Sequence, residues 1–136
     1  VSMHPELNAE TLGMIGEAQL RRMKRSAFLV NTSRGKVVQQ APLVQALSEG
    51  WIAGAALDVY EDEPLGPNNP LYALKNVVLM PHVAGLTIEA VEGMSLSAAS
   101  QVLQALSGNR PAHLLNPESW PQAAARAQGA ALTLTL

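Results

Sequence analysis

The chain has 136 residues, 48% of them hydrophobic, 15% charged and 4% aromatic, with a formal net charge of −2. That balance belongs to a packed core and excludes a disordered or fibrous chain, and with a slightly negative net charge and no aromatic stacking platforms nucleic acid is not an expected partner. Cysteine is absent and no unbroken apolar stretch approaches the ~18 residues of a membrane span, so disulfides, thiolate metal sites and membrane association lose support and the cytoplasm is the expected compartment.

The opening Val1-Ser2-Met3-His4 reads as the end of a strand already under way, and with the initial valine it suggests a fragment of a longer protein. Residues 9–23 carry leucine, methionine and isoleucine at helical spacing, with Asn8 as N-cap and basic residues in the last turn, which predicts an amphipathic helix. A short β-prone strand is expected over 27–31, a helix over 40–50 closed by Gly50, and an apolar strand over 52–60. After a loop holding Pro64, Pro67 and Pro70 comes a strand over 76–80, then a long helix over 87–108 ending at Gly108. Alternating strands and helices with apolar strands imply an α/β fold, a parallel sheet with helices on both faces. Residues 109–120 are irregular, and the alanine-rich 121–136 has no face to bury and reads as a weakly ordered tail. There is no internal repeat.

Each core strand runs into a cluster of ionisable groups: "AFLVN" into "TSRG", "AALDVY" into "EDEP", and "NVVLM" into "PHVAG". The carboxyl ends of neighbouring strands in an open parallel sheet face one crevice, where such folds bind ligands. Arg34, the acidic cluster Glu61, Asp62 and Glu63, and His82 therefore converge although far apart in sequence. Arginine can grip a carboxylate with its planar fork, and a carboxylate can orient a histidine acid/base, so the set suits a reaction on a small acid. His4 and His113 read as ordinary surface or core groups, Trp51 and Trp120 as packing residues, and Gly35 and Gly54 as places of close backbone packing. No metal-ligand cluster is expected.

The chain resembles the C-terminal portion of the D-isomer-specific 2-hydroxyacid dehydrogenases. The matching stretches are "VSMHPELNAETLGMIG", "LRRMKRSAFLVNTSRGKVV", "LVQALSEGWIAGAALDVYEDEPL", "NPLYALKNVVLMPHVAG" and "LLNPE", in the family's order from residue 1 to about 118. The resemblance implies a partial, Rossmann-like doubly wound sheet, the second half of a cofactor domain. The dinucleotide fingerprint G-x-G-x-x-G of the first half occurs nowhere in the chain. Residues 1–108 are then the C-terminal part of the NAD-binding domain, 109–120 a segment crossing toward a substrate domain, and 121–136 the tail.

By the same resemblance Arg34 matches the arginine that binds the substrate's carboxylate and carbonyl, His82 the catalytic histidine, and Glu63, directly before Pro64, its glutamate partner. Asp58 matches the aspartate near the nicotinamide carboxamide, while Thr32, Ser33, Arg34, His82 and Gly85 line the nicotinamide side. One departure touches the adenine side: the family has His, a variable residue, then Pro, where this chain has His4, Pro5, Glu6. The implied activity is hydride transfer between NAD, with NADP the open alternative, and a small 2-oxo or D-2-hydroxy acid, in a homodimer when full-length. Other readings are an NAD-sensing corepressor-like protein of the same fold, a phosphite or formate dehydrogenase relative, and an inactive truncated product. The formate branch carries Gln where Glu63 stands, which argues against formate.

Overall fold

The computed structural model describes residues 1–129 and divides into two compact units, Val1–Gly85 and Leu86–Leu136. The first is a four-stranded parallel sheet in the order β1 (Ser2–Met3), β2 (Phe28–Asn31), β3 (Gly54–Leu57), β4 (Val77–Leu79). Register fixes the faces: Met3 pairs with Asn31, Asn31 with Leu57, Leu29 with Ala55, and all of these side chains are buried. Because successive strand residues point to opposite faces, this face forms one core with Leu20 of α1 (Glu17–Arg21) and Leu43, Ala46 and Leu47 of α2 (Gln40–Ser48). The opposite face carries Phe28, Val30, Ala56 and Val78, of which Phe28 and Val78 are exposed. At the surface the Arg21 guanidinium of α1 lies 3.6 Å above the ring of Trp51, which follows α2 and packs against the core as expected.

The helix expected over 9–23 survives only as the five residues of α1. Asn8 does cap, accepting the Glu10 and Thr11 amides, but what it caps is a turn. Gly13 then takes a left-handed φ of 63°, and Ile15 leaves the helical path to bridge with Val38. The Gln39 side chain holds the break by donating to the Gly13 carbonyl at 2.9 Å. Strands β2, β3 and β4 and helix α2 lie where the periodicity places them, shortened at their ends.

In the second unit α3 (Ile88–Leu106) starts at Thr87, whose hydroxyl accepts the Ala90 amide at 3.1 Å, and stops before Gly108, which has a φ of 75°. Within that unit the Gln101 side chain accepts the His113 amide. Residues 120–129 form a further helix, α4 (Trp120–Gly129), at the end of the segment expected to be irregular and the start of the expected tail; alanine's high helix propensity and a proline in the first turn favour it. Residues 130–136 of that expected tail lie outside the described residues.

A candidate active site at the strand ends

The turn after β2 is organised by Asn31, which is 1% exposed. Its Oδ1 accepts from the Ser33 amide (3.1 Å) and hydroxyl (2.9 Å), and its Nδ2 donates to the Arg34 carbonyl at 3.0 Å. The turn this makes leaves Thr32 and Arg34 exposed and Ser33 buried, with Arg34 Nη1 donating to the Ser33 carbonyl at 2.7 Å. Gly35 packs directly on the segment after β3: a Cβ there would sit 1.8 Å from the Tyr60 carbonyl carbon and oxygen, so only glycine fits.

Beyond β3, the cluster Glu61, Asp62, Glu63 separates into different tasks. Glu61 Oε1 accepts the Gln40 amide at 2.8 Å, satisfying a free donor at the start of α2, and Asp62 is exposed. Glu63 Oε2 accepts from His82 Nδ1 at 2.8 Å while its Oε1 accepts the Tyr60 amide at 2.9 Å. The hydrogen bond from His82, then that from the Tyr60 amide, holds the Glu63 carboxyl below the usual carboxylate range against a smaller effect of burial; the charges of His82 and Arg34 push the same way. Glu63, after β3, thus meets His82, after β4, directly, and the charge of Arg34, after β2, reaches the same carboxylate.

Tyr60 braces the same place from its other end. Its hydroxyl donates toward the carbonyls of Met80 (2.7 Å) and Leu57 (3.1 Å), tying the exits of β3 and β4 together, and burial of the ring pushes that hydroxyl's pKa up. The Met80 carbonyl it holds lies two residues before His82. His82 itself is left-handed with φ 60°, a region that costs a non-glycine residue about 1–2 kcal/mol. Asp58, 5% exposed, accepts the two following amides: Val83 on Oδ1 and Ala84 on Oδ2, both at 2.8 Å. With Nδ1 turned to Glu63 and the side chain half exposed, Nε2 is the imidazole atom left to face a ligand. A cleft of about 560 Å³ adjoins the pair, walled mostly by Tyr60, Pro64, Leu65, Tyr72, Leu79 and Met80.

Residues 1–84 match the family described as D-isomer specific 2-hydroxyacid dehydrogenase, NAD binding domain. The chain belongs to this family. A glyoxylate reductase of Thermofilum pendens is 53% identical over 118 residues, which are 87% of this chain and 35% of that protein. The NAD-complexed D-isomer specific 2-hydroxyacid dehydrogenase of Lactobacillus delbrueckii ssp. bulgaricus superposes with a TM-score of 0.77 at 35% identity, over 85% of this chain and 39% of that one. The NADPH-dependent glyoxylate/hydroxypyruvate reductase of Sinorhizobium meliloti, solved with NADP and malonate, gives 0.71 at 35% identity, over 78% and 33% of the two chains. The dehydrogenase-family chain spans about a third of the length of the curated relatives it matches.

Of the residues assigned by resemblance to the nicotinamide side, Asp58 keeps acceptor capacity and Gly85 stands in open space. Each Asp58 oxygen accepts one N–H and a carboxylate oxygen has a second lone pair to offer, and a Cβ on Gly85 would meet no atom within 4 Å. They do not amount to a pyrophosphate cradle, for which a glycine-rich strand-to-helix turn is needed. Among the described residues no group of three His, Cys, Asp or Glu could hold a metal ion, and no helix is long and apolar enough to cross a membrane. His4 Nε2 is hydrogen-bonded to the Ser2 hydroxyl at 2.7 Å.

Sequence reasoning missed Asn31, Tyr60 and the capping task of Glu61. An asparagine ending a buried strand just before a turn was the available signal for the first, and a tyrosine among apolar strand residues for the second, since a buried hydroxyl needs a partner.

Proposed function

We propose that the whole protein is an NAD-dependent D-2-hydroxyacid dehydrogenase that reduces a small 2-oxo acid of the glyoxylate class, with NADP as the alternative cofactor. The observation that carries the reading is the Glu63–His82 pair, Oε2 to Nδ1 at 2.8 Å, with Arg34 near enough to lower the same carboxylate. Among the relatives are glyoxylate reductases, which supports a small substrate. In this reading Arg34 takes the substrate carboxylate in its fork, and Thr32, Ser33, Asp58 and Gly85 border the nicotinamide. Bound cofactor supplies the hydride. His82, held by Glu63, gives its Nε2 proton to the carbonyl oxygen as negative charge builds there, and takes it back in the oxidation direction. We assign residues 1–108 to the cofactor domain and 109–120 to the crossing segment. We place the whole protein in the cytoplasm as a homodimer paired through its cofactor domains.

The test is His82→Ala in the whole protein, assayed for NADH-dependent glyoxylate reduction and, separately, for NADH binding by fluorescence titration. Turnover is expected to fall by about 100- to 10,000-fold with NADH affinity nearly intact. Retention of most of the activity removes His82 as acid/base. A wild type that binds NADH but turns over no 2-oxo acid favours the corepressor-like reading.

A further inference from the structure

The two sides of His82 are anchored differently. The residues before it are fixed by the β4 ladder, where the Met80 amide donates to the Leu57 carbonyl at 2.9 Å, and by the Tyr60 hydroxyl on the Met80 carbonyl. The amides after it, Val83 and Ala84, donate to one side chain, Asp58, through one oxygen each. A left-handed residue turns the N–H groups around it into a shared concavity suited to an anion, and the anion here is part of the chain. Asp58 is well placed to be rigid: it is buried, and its own amide extends the β2–β3 ladder by donating to the Asn31 carbonyl at 3.0 Å.

We propose that Asp58 is a positioning residue for the reaction, a two-oxygen clamp on the Val83 and Ala84 amides that holds His82 left-handed and so keeps Nδ1 on Glu63 and Nε2 toward substrate. This rests on the reading of His82 as acid/base and goes beyond the contact with the nicotinamide that the resemblance implies. Charge-assisted hydrogen bonds to a buried carboxylate are strong, and both oxygens are needed because two donors converge. Asparagine cannot replace it, since its NH2 would confront one of the two amides. Among the described residues, the ionisable groups tied to this turn are Glu63 on the His82 ring, Asp58 under the following amides and Tyr60 at the β3 exit, with the charge of Arg34 acting on Glu63.

The experiment compares Asp58→Asn with wild type and His82→Ala in the whole protein. It measures kcat for glyoxylate reduction across pH, the Kd for NADH, and the 15N titration of the His82 ring without cofactor. The clamp predicts a kcat lower by roughly 10- to 100-fold, the scale expected when a reacting group is misplaced by about an ångström. It also predicts an NADH Kd that weakens by less than kcat falls, and a 15N titration of the His82 ring that differs from wild type. A Kd that weakens as much as kcat falls, or an unchanged His82 titration, overturns the clamp and leaves Asp58 a cofactor contact. If His82→Ala itself keeps activity, the acid/base reading fails first, a distinguishable result. Should Asp58→Asn not fold, hydrogen exchange on wild type decides: slow exchange at both Val83 and Ala84 amides supports the clamp, and exchange at the rate of an open loop overturns it.

Discussion

Glu63 accepts one hydrogen bond on each oxygen, from His82 and from the Tyr60 amide, and both favour its ionised form. A carboxyl whose folded pKa is depressed contributes stability that is fully present above its ordinary range and is lost as pH falls through the folded value. Glu63→Gln should therefore lower the urea midpoint at pH 7, and the gap to wild type should close as pH drops below about 4. A gap of equal size at pH 3 would mean that packing, not charge, is what the substitution removes. In the proposed reaction the same change takes away the charged acceptor that holds the imidazole by Nδ1, so kcat/KM for reduction should fall relative to wild type. The choice of Glu63 over Glu61 and Asp62 was legible only through its place before Pro64. Composition offers three adjacent acids, and what separates them is that Glu61 reaches α2, 21 residues away in sequence. Asn31 and Tyr60 were not legible for the same reason: their tasks lie in tertiary distances that no local pattern carries.

At the scale of elements, apolar period alone placed β2, β3, β4, α2 and α3, since each is a single run bounded by its own turn residues. It overreached at 9–23, where glycine breaks the run and a backbone bridge to Val38 outweighs about four turns' worth of helical spacing. The site depends on how two turns fit rather than on either alone. Gly35, after Arg34, rests on the Tyr60 carbonyl, and Tyr60 supplies an amide to Glu63. Gly35→Ala puts a methyl group 1.8 Å from that carbonyl, too close for a side-chain adjustment to relieve, so one backbone must move. We expect a loss of about 1–3 kcal/mol in urea unfolding, the usual range for overpacking. NMR should show the Glu63–His82 pair disturbed although neither residue was changed. An alanine variant with the wild-type midpoint and an unaltered His82 ring would show that the two turns are not coupled through this contact.

Over the whole molecule the alternation of strands and helices made the parallel α/β fold legible, because strand ends, helix caps and apolar period agree there. What the alternation does not convey is how much apolar surface stays uncovered. No residue of α3 is buried, and Ile88 (75% exposed), Leu96 (72%), Leu103 and Leu106 all face solvent; on the sheet, Phe28 (61%) and Val78 (59%) do the same. Exposed apolar groups in such number mark surface that meets another protein segment, and β4 adds an edge strand only three residues long. The 136-residue chain by itself should therefore bind an apolar reporter dye strongly and scatter more light as its concentration rises. It should also bind NADH too weakly for calorimetry at micromolar concentrations, because in the proposed reading these residues meet only the nicotinamide end and leave most of the dinucleotide unheld. The decisive observation is the pair of measurements together. A monodisperse chain that melts cooperatively, ignores the dye and takes up NADH at micromolar concentration would mean that α3 and the open sheet face are covered in solution and that a phosphate site exists within these residues.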